Sequence, residues 1–167
     1  LEKGQSKKDF DKDSVLDRME VQLKKFDIYI EKLKKIDLNW CIKDVSRLIK
    51  QHTNGNYILV FPFCSKKNNQ KKWPYFKELI IYLKSHYKNK YSILIAPGPG
   101  EISEAKNLNA QIVLDNNKES VNLDVLISLI SNSSYVISND SGPAHISSHL
   151  KKKGIAIFGK HTSPKKV

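Results

Sequence analysis

From Tyr57 onward the apolar residues come in short unbroken runs rather than in alternation with polar ones. The runs are Tyr57-Ile58-Leu59-Val60-Phe61, Ser92-Ile93-Leu94-Ile95-Ala96, Gln111-Ile112-Val113-Leu114, Tyr135-Val136-Ile137-Ser138 and Gly154-Ile155-Ala156-Ile157-Phe158-Gly159. Short continuous runs rich in β-branched residues predict strands buried on both faces. Helix-spaced patterns lie between them. Phe76, Leu79, Ile80 and Leu83 follow Pro74, which suits a helix start. Glu101 to Leu108 reads as a short helix, and Val121 to Ile130 and Gly142 to Leu150 read as two more. Strands alternating with helices predict an α/β domain built on an open parallel sheet with right-handed crossovers.

Before Tyr57 the pattern is helical. Leu16, Met19, Leu23, Phe26, Ile30 and Leu33 recur at three- and four-residue steps, with an interruption near Asp27. Cys41, Val45, Leu48 and Ile49 predict a further helix that ends near Thr53-Asn54-Gly55. Residues 1–14 are charged and weakly patterned, as a linker or frayed end would be. The chain thus divides into a linker and helical lead-in at 1–55 and an α/β domain at 56–167.

Charge adds a constraint. The 167 residues hold 29 Lys+Arg against 17 Asp+Glu, a formal net charge of +12. This surplus favours anionic partners, among them nucleotides, phosphorylated sugars, nucleic acid and an anionic membrane surface, without choosing among them. Much of it reads equally well as lysines on solvated faces. Cys41 and Cys64 lack metal-ligand spacing, and a reduced, cytosolic setting is the default for them. No apolar run reaches the ~18 residues of a membrane helix. The polar opening LEKGQSKKDFDKDS has no secretory-leader pattern.

Open parallel sheets bind ligands beyond the carboxyl ends of their strands. The loops there are Phe63–Lys72, Pro97–Gly100, Asn139–Gly142 and Gly159–Pro164, and they carry nearly every unusual residue of the chain. In Asn139-Asp140-Ser141-Gly142-Pro143-Ala144-His145 a helix start near Gly142 offers unpaired amides to a phosphate. Asp140 or Ser141 could equally cap that helix with no ligand involved. His145, about one turn in, faces either the same pocket or the core. Lys71, in Lys71-Lys72-Trp73-Pro74, could reach a diphosphate as a point charge or remain solvated beside the Trp. Cys64 and Ser65, just after the first strand, could add donors. Gly98-Pro99-Gly100-Glu101 is too short for a dinucleotide fingerprint. Its Glu101 either accepts from ribose hydroxyls or complements a helix dipole. Lys160 or Thr162, in the last loop, could meet an anion.

In order and spacing these motifs resemble one family. An apolar strand followed by Lys-x-Trp-Pro, Gly-x-Gly-Glu, Asp-Ser-Gly-Pro-Ala-His and Phe-Gly with Thr and Pro is similar to the carboxy-terminal half of glycosyltransferase family 9, the ADP-heptose lipopolysaccharide heptosyltransferases. The resemblance spans Tyr57 to Pro164 and extends over Asp17–Ile28. It implies the carboxy-terminal, Rossmann-like domain of a GT-B enzyme, which holds the nucleotide-sugar donor. By position, Lys71 would contact the donor diphosphate and Glu101 the ribose. Ser141 and Gly142 would offer amides to the phosphates, Asp140 would face the transferred sugar, and His145 and Thr162 would line the site. Cys64 and Ser65 fall where the family has small phosphate-contacting residues. The Phe63–Lys71 loop is longer and richer in Lys and Asn than the pattern, and the last loop has one added residue.

The resemblance also implies a lipopolysaccharide-type acceptor and a cytoplasmic location, peripheral at the inner membrane face. It implies an amino-terminal partner domain that supplies the acidic catalytic base, so no catalytic residue is expected in this chain and no transfer by it alone. No cofactor and no metal is expected, since no carboxylate pair is placed to hold one. The competing reading is a basic, non-catalytic module binding anions or nucleic acid with steep salt dependence. Against it stands the lack of a nucleic-acid motif with interleaved aromatics.

Overall fold

The computed structural model describes residues 14–30 and 36–159. Residues 1–13 of the expected 1–14 linker, the helical position Leu33 and the loop residues Lys160, Thr162 and Pro164 lie outside that range.

The first helix, α1 (Val15–Lys24), is held mainly by local interactions. The Ser14 hydroxyl accepts from the Asp17 N–H at 3.1 Å, and Lys24 pairs with Glu20 one turn back at 2.9 Å. Such a cap contributes about 1 kcal/mol. No residue of α1 is buried. The helix stops before Asp27, which takes a left-handed φ of 57° where the sequence pattern breaks. A 3₁₀ turn at Asn39–Cys41 and the short α2 (Ser46–Lys50) replace the single longer helix expected there. The Lys43 N–H donates to Ser128 Oγ at 2.8 Å, and Val45 is buried.

The sheet consists of β1 (Tyr57–Phe61), β2 (Ser92–Ile95), β3 (Gln111–Ile112), β4 (Tyr135–Asn139) and β5 (Gly154–Ile157). All its pairings are parallel, in the order β3-β2-β1-β4-β5. The crossovers are α3 (Phe76–Tyr87), α4 (Ile102–Ala105), α5 (Leu123–Asn132) and α6 (Gly142–His149). This is the expected α/β, Rossmann-like open sheet. All five residues of β1 are buried, as its unbroken apolar run requires. Tyr57, Leu59 and Phe61 face one layer, formed with Val45, Leu129 and Ile130 and flanked by Ile146. Ile58 and Val60 face the other, with Phe76, Ile80, Leu83 and Ala105. Burying each such side chain contributes roughly 1.5–3 kcal/mol, so the two layers fix β1 at the centre.

The order also fixes where a ligand can sit. From β1 the chain winds outward through β2 to β3, then returns to place β4 on the other side of β1. The loops after β1 and β4 therefore diverge, and the crevice between them is the topological switch point.

Candidate functional site

At that crevice the loop after β1 meets the loop after β4. Lys71 ends a 3₁₀ segment, Lys66–Lys71. Its Nζ lies 2.8 Å from Asp140 Oδ2, although 69 positions separate the two in sequence. The Asp140 side chain is 5% exposed and that of Lys71 23%. A carboxylate so enclosed needs a partner, because ionised groups out of water are costly alone. His145, half exposed on the first turns of α6, turns Nε2 toward the other oxygen, Asp140 Oδ1, at 3.9 Å. Lys71, Asp140 and His145 thus form one cluster.

At the start of α6 no side-chain cap forms. Ser141 holds the N-cap position, but its side chain bonds no helix amide. Its hydroxyl is 3.3 Å from the Asn139 carbonyl and 3.2 Å from Ser138 Oγ. The Asp140 side chain is turned to Lys71. The Ser141 carbonyl takes the Ala144 N–H at 3.0 Å, whereas the N–H groups of Ser141 and Gly142 meet no acceptor among the described residues. Apart from its chain neighbours and its own helix's backbone, no atom of the described residues stands within 4 Å of where a Gly142 Cβ would be. Gly142 also precedes Pro143, a position where a Cβ disfavours helical backbone. Two amides with the helix dipole behind them are thus left without an acceptor among the described residues, a setting suited to an anion.

The loop after β1 is anchored by a residue the sequence reading overlooked. Asn139, fully buried at the end of β4, accepts the Trp73 N–H at 3.1 Å and donates to the Pro62 carbonyl at 2.8 Å. It clamps both ends of the segment that carries Cys64, Ser65 and Lys71. An Asn next to Asp-Ser-Gly reads as a turn residue, so its position as the last residue of a buried strand was the only available signal. The Ser138 hydroxyl, also buried, bonds the Asn139 carbonyl at 2.7 Å.

Cys64 and Ser65 lie in the same loop and are internally engaged. Cys64 Sγ bonds the Asn68 carbonyl at 3.2 Å, and Ser65 Oγ accepts from Asn68 Nδ2 at 3.0 Å. Burial pushes the Cys64 thiol above its ordinary range. The loop after β5 also reaches this region. A Cβ at Gly159 would stand 3.3 Å from the Gln70 carbonyl and 3.4 Å from Lys71 Cα, so the chain after β5 passes close to Lys71 and a larger residue there would need a shift of a few tenths of an ångström. Thr162 lies outside the described residues.

Glu101 sits on the β2 side. Its Oε2 accepts the Gly98 N–H at 2.7 Å, which folds Gly98-Pro99-Gly100 back on the start of α4. The connection to the other loops runs through Lys72. That side chain pairs with Glu104 of α4 and lies 5.4 Å over the Phe63 ring. Glu104 and Lys72 also line a cleft of about 360 Å³ floored by Pro62, Trp73 and Leu108. Among the described residues no three His, Cys, Asp or Glu side chains gather as metal ligands would, and no helix is long and apolar enough to cross a membrane.

Burial raises the Glu101 carboxyl above its usual 4.5, against smaller downward pulls from the Gly98 N–H and the Lys72 charge. An acid raised in this way costs stability when ionised. The cost is absent below the unfolded-chain value and is complete once pH exceeds the folded value. Glu101→Gln is therefore expected to melt above wild type at pH 7, with the gap closing as pH falls to about 4. Melting curves across that interval check the sign.

A five-stranded parallel sheet covered by helices, with its crevice at the switch point between β1 and β4, defines a Rossmann-like α/β domain. The chain belongs to glycosyltransferase family 9 (heptosyltransferase), whose model matches residues 3–167. The fold is shared with solved structures. The E. coli heptosyltransferase WaaC with ADP aligns at TM-score 0.58 and 20% identity, over 83% of this chain and 42% of that one. The same enzyme with ADP-2-deoxy-2-fluoro heptose aligns at TM-score 0.59 and 20% identity, over 88% and 45%. E. coli ADP-heptose lps heptosyltransferase II aligns at TM-score 0.57 and 18% identity, over 79% and 40%. The chain spans less than half the length of these proteins. No curated protein matches the sequence.

Proposed function

We propose that this chain is the donor half of a glycosyltransferase and grips the nucleoside-diphosphate end of an activated sugar. The observation that carries the reading is the meeting of Lys71, Asp140 and His145 with the open amides of Ser141 and Gly142 at the switch point. In this reading the amides and Lys71 hold the diphosphate, and Glu101 takes the ribose hydroxyls. Asp140 faces the sugar, with Cys64, Ser65 and Thr162 at the margin. Family membership and the ADP and ADP-heptose ligands named for the WaaC structures favour ADP-heptose as the donor and a lipopolysaccharide-type acceptor. Transfer would take place at the cytoplasmic membrane face.

The chemistry assigned to this half is electrostatic. As the glycosidic bond to the diphosphate breaks, negative charge grows on the departing oxygen. Fixed donors aimed at it lower the barrier without reorganising. The base that activates the acceptor would come from an amino-terminal domain, so the chain by itself would bind donor without turning it over. No step in this half calls for a cofactor or a metal ion.

Calorimetric titration tests the reading. ADP and an ADP-sugar are expected to bind saturably with micromolar Kd, and more tightly than AMP, because the site is built for a diphosphate. Silence toward both nucleotides, together with strongly salt-dependent binding of an oligonucleotide, would overturn it in favour of a basic nucleic-acid module.

A further inference from the structure

Charge counting at the crevice leads beyond simple donor binding, and it rests on the diphosphate reading above. Among the described residues the ligand-free cluster sets one ammonium, Lys71, against one carboxylate, Asp140, with the His145 imidazole beside them. A nucleoside-diphosphate sugar brings two further negative charges to the adjoining amides. Lys71, the ammonium seated on Asp140, would then serve both the carboxylate and the diphosphate. Asp140 is too enclosed to recover its loss from water. A titratable group already stands beside it, since His145 Nε2 lies 3.9 Å from the oxygen that Lys71 leaves unoccupied. A proton on this ring would supply the missing positive charge at the carboxylate, and closing the gap by about 1 Å would make it a charge-assisted hydrogen bond.

We propose that diphosphate binding is coupled to proton uptake at His145, which then holds Asp140 in place while Lys71 turns its charge to the donor. The proton comes from solvent. His145 acts here as a positioning residue, through Asp140 rather than on the sugar.

Among the described residues the surroundings leave His145 as the group that answers. On its own helix the other titratable side chain is His149, one turn further on. On β4 it is Tyr135, packed into the opposite layer. Strand β5 carries no ionisable side chain. On α5 the only one, Asp124, is paired with Lys43. From the loop after β1 the facing group is Lys71 itself. Imidazole titrates near pH 6.5 when unperturbed, and two added negative charges raise its proton affinity. Linkage then requires donor affinity to fall as pH rises from neutrality, by up to tenfold per unit between the free and bound values.

The test is ADP calorimetry on the full chain at pH 7.5, in buffers of differing ionisation heat. The ligand's own titration is removed by comparison with His145→Gln. Wild type is expected to take up a larger fraction of a proton than the variant. The imidazole signals in NMR titrations should show one histidine, absent from the variant's spectrum, whose pKa rises when ADP is added. Equal proton counts with ADP binding intact, or a His145 pKa that does not move, would overturn the coupling and leave the proposed function standing. Failure of wild type to bind ADP would remove both.

Discussion

Lys71→Met is expected to lower both the stability of the chain and its affinity for ADP, and a second substitution should separate the two losses. The stability loss follows from Asp140. Its side chain is 5% exposed, and the Lys71 ammonium stands 2.8 Å from its carboxylate. Leaving one partner of a buried pair alone costs about 3–5 kcal/mol. The Lys71 side chain is 23% exposed, so some water reaches the pair, and roughly 2 kcal/mol is expected here. The affinity loss follows from the charge-assisted contact to phosphate, worth roughly 1.5–3 kcal/mol or about 10- to 100-fold in Kd. Adding Asp140→Asn to Lys71→Met removes the stranded charge. The double variant should regain most of the stability and none of the affinity. Denaturant curves and ADP titrations on the wild type, Lys71→Met, Asp140→Asn and the double variant form a double-mutant cycle. A double variant that regained ADP affinity would show that Lys71 serves only to neutralise Asp140.

The contrast between contact and position shows how much the sequence could say. The strands were legible because a run such as Tyr57–Phe61, with no polar alternation, has no use except burial on both faces. The observed β1 coincides with it. The helix starts were legible from Pro74 and from Gly142-Pro143. Length was harder to read. The helix expected from Glu101 to Leu108 closes at Ala105, since Asn107, Asn109 and the left-handed φ of 44° at Asn109 favour a turn. The strand expected at Gln111–Leu114 pairs over Gln111–Ile112, because it lies at the edge with β2 as its one neighbour. Strand order was not legible, since any right-handed winding satisfies the same pattern of runs. Without the order, no reading of the chain could place Lys71 against Asp140. The candidate residues were found one loop at a time, while the ion pair that joins them is a product of the switch between β1 and β4. Asn139 was missed for a related reason: its two bonds go to backbone groups far away in sequence, and backbone partners leave no trace in side-chain pattern.

Asn139 carries the largest stability effect expected. In Asn139→Ala two backbone groups, the Trp73 N–H and the Pro62 carbonyl, lose their partners together. Each buried group left unsatisfied costs about 1–3 kcal/mol, and the vacated volume adds to that. A loss of roughly 3–5 kcal/mol is expected, against a total stability of about 5–15 kcal/mol for a domain. Because both ends of the 62–73 segment are released, ADP affinity should fall even at temperatures where the variant remains folded. Asn139→Asp separates the two bonds. The introduced carboxylate can still accept from the Trp73 N–H, but it faces the Pro62 carbonyl with no proton to donate. At pH 7 it adds a buried charge next to Asp140, so this variant should be the less stable of the two despite its similar volume. Burial and the neighbouring carboxylate both raise the pKa of the introduced group. Protonation turns it into a donor, so Asn139→Asp should gain on Asn139→Ala as pH falls and overtake it in mild acid. Denaturant midpoints of both variants between pH 7 and pH 5 measure this. Parallel curves with no crossing would mean that the amide's contact with the Pro62 carbonyl does not hold the loop.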